Sequence, residues 1–115
     1  MTINTEDFFA ELHNHGIGFF TGVPDTILKD FCLCIDDQKP ETHHVIAANE
    51  GNAIALATGY HFATNKIPLV YMQNSGLGNA LSPLLCLCDP DVYSIRMLLR
   101  IGCEMYQMKK MNYNI

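Results

Sequence analysis

Short apolar runs alternate with helix-like stretches along nearly the whole chain, and the first three runs each end in a turn rich in Gly, Asn, Asp or Glu. Ile17 to Thr21 leads into Gly22-Val23-Pro24-Asp25, and Val45 to Ala47 leads into Ala48-Asn49-Glu50-Gly51. Leu69 to Met72 leads into Gln73-Asn74-Ser75-Gly76-Leu77-Gly78-Asn79, and Ile95 to Ile101 reads as a fourth strand. The order is αβαβαβαβ. Alternation at this spacing predicts an α/β fold, a parallel sheet with helices on both faces. Strands of a parallel sheet point one way, so the three turns emerge together at its carboxyl edge, where such sheets bind ligands.

The helices carry their own signals. Thr5 is a fitting N-cap for a first helix that places Phe8, Phe9 and Leu12 on one face before Gly16 closes it. Asp25 can cap a second, from about Thr26 to Ile35, with Ile27, Leu28, Phe31 and Ile35 at helical spacing. A third, rich in Ala, rises from Asn49-Glu50-Gly51 and ends near Thr64-Asn65-Lys66, after a strand expected to be buried. A fourth runs from about Ala80 to Cys88.

Length and charge narrow the function. A chain of 115 residues is one domain at most. A formal net charge of −5 without a basic run argues against a nucleic-acid partner. No apolar segment approaches the roughly 20 residues of a membrane span, and MTINTEDFF lacks the pattern of a secretory signal, so a cytoplasmic setting is expected. Cys32 and Cys34, like Cys86 and Cys88, lie two apart within helical runs and point to different sides, which makes a metal chelate or disulfide framework unfavourable and buried, unreactive thiols the expectation. His13, His15, His43, His44 and His61 read as solvated or structural.

Glu50 stands where a strand ends and a helix begins, among Ala, Gly, Ile and Leu, with no adjacent Lys or Arg in sequence. Such a carboxyl has two readings: an acidic residue complementing the positive end of a helix dipole, or a partly desolvated group that relays a proton. Asp25 has a similar pair, helix cap or functional acid. Gly76-Leu77-Gly78 begins like a dinucleotide fingerprint, but Leu81 occupies the third glycine position and the loop follows the third strand.

The segments FFTGVPDTILKDF, HVIAANEGNAIALATGYHFAT, KIPLVYMQNSGLGNALSPL and DPDVYSI cover nearly everything from Phe19 to Ile95. They resemble the N-terminal pyrimidine-binding domain of thiamine-diphosphate-dependent 2-oxo acid decarboxylases, and within these the phosphonopyruvate decarboxylases. The resemblance implies a thiamine-diphosphate-binding fold of the pyrimidine type, incomplete at its C-terminus, and conversion of phosphonopyruvate to phosphonoacetaldehyde and CO2. It gives Glu50 the task of hydrogen-bonding N1′ of the cofactor's aminopyrimidine, favouring the imino form that takes the proton from C2 of the thiazolium. Asp25 falls where related decarboxylases place an acid or hydroxyl near the reacting centre. Pro24, Gln73 and Asn79 match positions lining the pyrimidine and substrate pocket.

The resemblance also marks a gap. The Gly-Asp-Gly motif with its downstream Asn, which in this family binds Mg2+ and the diphosphate, is not in these residues, so a diphosphate-binding domain or subunit is the implied partner in a homo- or hetero-oligomer. A split enzyme of the sulfopyruvate decarboxylase kind would supply it, and so would a truncated gene. Residues 1–102 form the partial domain in this reading. Residues 103–115 (CEMYQMKKMNYNI) no longer resemble the family. Reading Glu104 to Asn112 one nucleotide out of register permits Asp-Val-Pro-Asp-Glu-Lys-Asp-Glu, like the family's acidic segment, which points to a frameshift. The isolated chain is expected to be inactive, to expose apolar surface near its three turns and to self-associate. The competing readings are a non-catalytic assembly module and a Rossmann-like nucleotide binder.

Overall fold

A computed structural model describes residues 4–38, 42–88 and 98–102, the last as backbone. Helix α1 (Thr5–Asn14) precedes strand β1 (Phe19–Gly22), and a 3-10 turn (Thr26–Leu28) runs into α2 (Lys29–Asp37). Then come β2 (His43–Ile46), α3 (Glu50–Thr64), β3 (Leu69–Gln73), a second 3-10 turn (Asn74–Gly76), α4 (Leu77–Leu87) and β4 (Leu98–Gly102). The four strands lie in the order β2-β1-β3-β4, every pair parallel. The chain leaves β1 toward one edge to make β2, then returns to the other side of β1 to make β3. That reversal between β1 and β3 is the crevice where doubly wound sheets place ligands.

Side chains alternate along β3 between two cores. Leu69 and Tyr71 join Phe20 under Phe9 and Leu12 of α1 and Phe31 and Ile35 of α2. Val70 and Met72 join Ala47 under Ala53, Ile54 and Ala57 of α3 and Ala80 of α4. Helices therefore cover both faces, as the alternating pattern predicts.

Several local expectations are corrected. Asn4, not Thr5, caps α1, its side chain accepting from the backbone N–H groups of Glu6 and Asp7. Asp25 caps the 3-10 turn ahead of α2 and not α2 itself. The long Gly/Asn loop after β3 is shorter than its composition implies, because α4 already begins at Leu77 and takes in Gly78 and Asn79. Gly and Asn are weak helix formers, and packing against α3 overrides that preference. Strand β2 is an edge strand with Val45 and Ile46 exposed, not the buried strand its apolar residues imply. Of the cysteines, Cys32, Cys34 and Cys88 are half-buried and Cys86 is exposed, so none of these four is fully buried. Of the fourth strand expected from Ile95 to Ile101, Leu98 to Ile101 are in β4, while Ile95 to Met97 and the 103–115 segment lie outside the described residues.

The exposed apolar surface is substantial. Leu56 and Phe62 of α3, Leu81 and Leu85 of α4, and Ile46 at the end of β2 all face outward. A groove of about 740 Å³ runs between β2 and α3, lined in part by Phe19, Ile46, Leu56 and Tyr60. A helix apolar on most of its faces normally has protein on most of them.

One polar array crosses the sheet. Tyr71 on β3 reaches over β1 at Gly22 to His44 on β2, with Tyr71 Oη and His44 Nε2 2.7 Å apart. On its other side His44 Nδ1 lies 2.9 Å from Oδ1 of Asp36, near the end of α2. Burial pushes the Tyr71 hydroxyl far above its ordinary pKa, with the neighbouring Cys32 and Asp36 adding to it. Burial likewise raises the Cys32 thiol, partly offset by its hydrogen bond with Tyr71. The unfolded chain loses these protons near the ordinary values of 9.0 for Cys and 10.0 for Tyr, while the folded chain keeps them. Above about pH 9 the folded state binds more protons, so stability is intact below that pH and declines as pH rises. We expect Tyr71→Phe to flatten this alkaline decline in urea melts at pH 8 to 11. At neutral pH it should cost about 1 kcal/mol for the hydrogen bond lost to His44.

Candidate functional site

The ends of β1 and β3 flank a cleft of about 620 Å³. Asp25 and Pro24 come from the turn after β1, Gln73 from the end of β3, and Glu50 from the first residue of α3. Parallel strands thus bring four of the five predicted site residues to one cleft. Asn79 is not among its lining residues and acts from behind.

Glu50 is half-buried and held on two sides. Asn49 caps α3 by accepting from the Asn52 N–H at 2.9 Å, which fixes where the helix begins. Asn79 Nδ2 donates to Glu50 Oε2 at 3.1 Å from the first turns of α4. Gly76 closes the other side: a Cβ there would overlap the Glu50 carboxylate and its Cγ. Gly51 lets α3 approach α4, since a Cβ on it would lie 3.0 Å from the Asn79 carbonyl. Pro83, inside α4, has no N–H to give that carbonyl in the usual i to i−4 bond, so the helices meet at a point where α4 lacks one of its own hydrogen bonds.

Asp25 uses one carboxylate oxygen as a cap, Oδ1 accepting from the Ile27 N–H at 3.3 Å. Its other oxygen, Oδ2, is buried and has no hydrogen-bond partner among the described residues, as is also true of Thr21 Oγ1. A buried carboxylate oxygen without a partner is costly unless a ligand or proton meets it. Both readings of Asp25 are thus accommodated in one side chain. Gln73 Oε1 accepts from the Ser75 hydroxyl at 2.9 Å, which orients its amide at the cleft.

Sequence reasoning missed four contributors, Gly76, Asp36, Cys32 and Lys29. Gly76 was visible only as a turn residue, whereas its lack of a side chain shapes the space Glu50 occupies. Asp36 and Cys32 line the cleft and connect it to His44 and Tyr71, an array that depends on strand order. Lys29, at the start of α2, also lines the cleft. Among the described residues no group of three or more His, Cys, Asp or Glu side chains could hold a metal ion.

The Gly76 contact is testable without an activity assay. The atoms in the way belong to a flexible side chain, so Gly76→Ala should turn the Glu50 carboxylate away and break its bond to Asn79 while the fold persists. Loss of the distinct Asn79 side-chain amide resonances would report this. Gly78→Ala, where a Cβ meets nothing within 4 Å, should leave them unchanged and gain up to about 1 kcal/mol of helix stability.

A doubly wound α/β domain with a helix-terminal glutamate clasped at the rim of its crevice has the place where such sheets bind ligands, and comparison with known proteins identifies its kind. Residues 4–101 match the family model of the thiamine pyrophosphate enzymes' N-terminal TPP binding domain, and the chain belongs to that family. It is 32% identical over 98 residues to sulfopyruvate decarboxylase subunit alpha of Methanococcus maripaludis, covering 85% of this chain and 56% of that protein. It is 33% identical over 84 residues to the corresponding subunit of Methanothermobacter thermautotrophicus, covering 73% and 50%. The chain spans about half the length of the curated relatives it matches. These relatives are named for a sulfonate substrate, so they do not bear out the resemblance to phosphonopyruvate decarboxylases in particular.

Solved structures confirm the fold. The benzoylformate decarboxylase of Polynucleobacter necessarius superposes with a TM-score of 0.73 at 21% identity, covering 93% of this chain and 19% of that one. The thiamine diphosphate-dependent 4-hydroxybenzoylformate decarboxylase of Rhodococcus jostii gives 0.73 at 22% identity, covering 96% and 20%.

Proposed function

We propose that this chain is the pyrimidine-binding subunit of a split thiamine-diphosphate-dependent decarboxylase acting on a three-carbon 2-oxo acid with an anionic head, sulfopyruvate being favoured over phosphonopyruvate by its relatives. The observation that carries the reading is the Glu50 carboxylate, fixed at the cleft rim by Asn79 and given room by Gly76. The donor set fits the aminopyrimidine end of the cofactor. Glu50 is the group to meet N1′, and the unpartnered Oδ2 of Asp25 is a second polar atom in the same cleft. Bound thiamine diphosphate would supply the electron sink for the carboxyl electron pair.

This chain's own residues have separate tasks in that reading. Glu50 would share a proton with the pyrimidine ring nitrogen, and Asn79 holds its carboxylate in one orientation at the cleft rim. Asp25 handles a proton or orients substrate near the reacting carbon. Pro24 and Gln73 shape the wall between them. The diphosphate end and its Mg2+ fall to a partner, for which these residues hold no Gly-Asp-Gly motif. The outward-facing Leu56, Leu81, Leu85 and Ile46 support a chain that works in an assembly.

Residues 1–102 constitute the family domain in this reading, and 103–115 a divergent tail of frameshift origin. The genomic DNA tests that part: it must encode the acidic run in another register. Function is tested by mixing the chain with a diphosphate-binding subunit, thiamine diphosphate and Mg2+, and following aldehyde and CO2 from sulfopyruvate and phosphonopyruvate. Turnover that needs both polypeptides supports the proposal. A stable complex that binds no cofactor and turns over neither acid makes the chain an assembly module instead.

A further inference from the structure

We propose that Lys29 is the residue by which this chain recognises the anionic head of the substrate, the sulfonate or phosphonate group on the far side of the keto carbon from the departing carboxylate. The inference deepens the decarboxylase reading and rests on it.

Charge inventory points to Lys29 first. Three carboxylates, Asp25, Asp36 and Glu50, line the cleft, and a chain of net charge −5 surrounds it. A substrate carrying a carboxylate and a sulfonate together would be repelled from that cleft if nothing offset them. Lys29 is the one cationic side chain among its described lining residues. The other lysine whose side chain is described, Lys66, lies just before β3, at the opposite edge of the sheet.

Lys29 is also available. Among the described residues His15 pairs with Glu11 and His44 with Asp36, and neither pair involves it. Its backbone is fixed, however, as the first residue of α2, directly after the 3-10 turn capped by Asp25. A 3-10 turn rises about 2 Å per residue, which puts the Lys29 backbone roughly 6 to 8 Å along the wall from Asp25. A four-carbon stem can therefore carry its ammonium toward an acid head lying beyond the reacting carbon. An ammonium is a compact point charge suited to the three equivalent oxygens of a sulfonate or phosphonate.

The test has two arms. In the first, 3-sulfopropanoate and propanoate are titrated into the full chain, following the ε-carbon resonances of the lysines. The sulfonate should shift Lys29 and bind roughly 10- to 100-fold more tightly than propanoate, a preference lost in Lys29→Met and largely kept in Lys29→Arg. In the second, the complex with its diphosphate-binding partner is assayed with sulfopyruvate and pyruvate, and the ratio of their kcat/KM values should fall by a similar factor in Lys29→Met. Equal weakening of both ligands and of both substrates would reduce Lys29 to a structural or general electrostatic part and overturn the proposal. So would a preference that survives Lys29→Met. Lys29-dependent sulfonate binding in a complex that decarboxylates nothing would uphold the anion site and overturn only the decarboxylase reading.

Discussion

Replacing Glu50 with Gln should lower decarboxylation by the reconstituted complex by about 10²- to 10⁴-fold, the range expected when a positioned acid–base group is lost. The variant is informative because it changes so little else. A glutamine amide has nearly the carboxylate's shape, fits the space left by Gly76, and offers its oxygen to Asn79 Nδ2 in place of Glu50 Oε2. Folding stability should stay within about 1 kcal/mol of the parent, since the exchanged hydrogen bond is exposed and retained. What the amide cannot do is accept and return a proton at the pyrimidine nitrogen. If Glu50 served only to complement the α3 dipole, the variant would cost roughly 0.3 to 1 kcal/mol of stability and leave kcat untouched. Measuring kcat and the melting temperature together separates these outcomes.

The largest loss of stability is expected at Gly22. A Cβ there would fall within the Tyr71 backbone carbonyl and against the Tyr71 ring, on the strand neighbouring β1. The obstructing carbonyl belongs to the sheet and cannot rotate aside, unlike the Glu50 side chain beside Gly76. Gly22→Ala must therefore part β1 from β3 or force the Tyr71 ring off His44. Overpacking of this kind costs about 1 to 3 kcal/mol and sometimes more, and the bond between Tyr71 and His44 adds about another 1 kcal/mol. At roughly 4 to 8 °C per kcal/mol for a domain of this size, the melting temperature should fall by about 10 to 25 °C. Because the Gly22-Val23-Pro24-Asp25 turn continues directly from this residue, activity should fall with stability. Thermal melts by circular dichroism check the prediction, and a drop of less than a few degrees would contradict the close packing of β1 on Tyr71.

What could be read in the sequence follows from which forces are local. The alternation of strand and helix is written in apolar periodicity and turn residues, and a parallel sheet then brings Asp25, Glu50 and Gln73 to one edge without further information. Glu50 stood out because a carboxyl at a strand-to-helix junction is visible in one short stretch. Other features depend on neighbours distant in sequence. Val45 and Ile46 look like core residues, and only the strand order reveals that β2 is an edge. Asn79 looked like a loop residue lining a pocket, yet it stands in α4 and serves Glu50 from outside the cleft lining. The array of Asp36, His44 and Tyr71 joins residues 8 and 27 positions apart in sequence, across three strands and a helix, and no local pattern announces it. Lys29 carries no local signal within its segment, and only the folded cleft sets it among the lining residues with Asp25, Asp36 and Glu50.

The central claim is that Glu50 meets the pyrimidine ring of the cofactor in the crevice between β1 and β3. Exchange of the thiamine diphosphate C2 proton for deuterium, followed by NMR in the reconstituted complex without substrate, tests it most directly. Exchange should be fast with the parent chain and slowed by at least about 100-fold with Glu50→Gln, at equal cofactor occupancy. Equal exchange rates in the two complexes would contradict it.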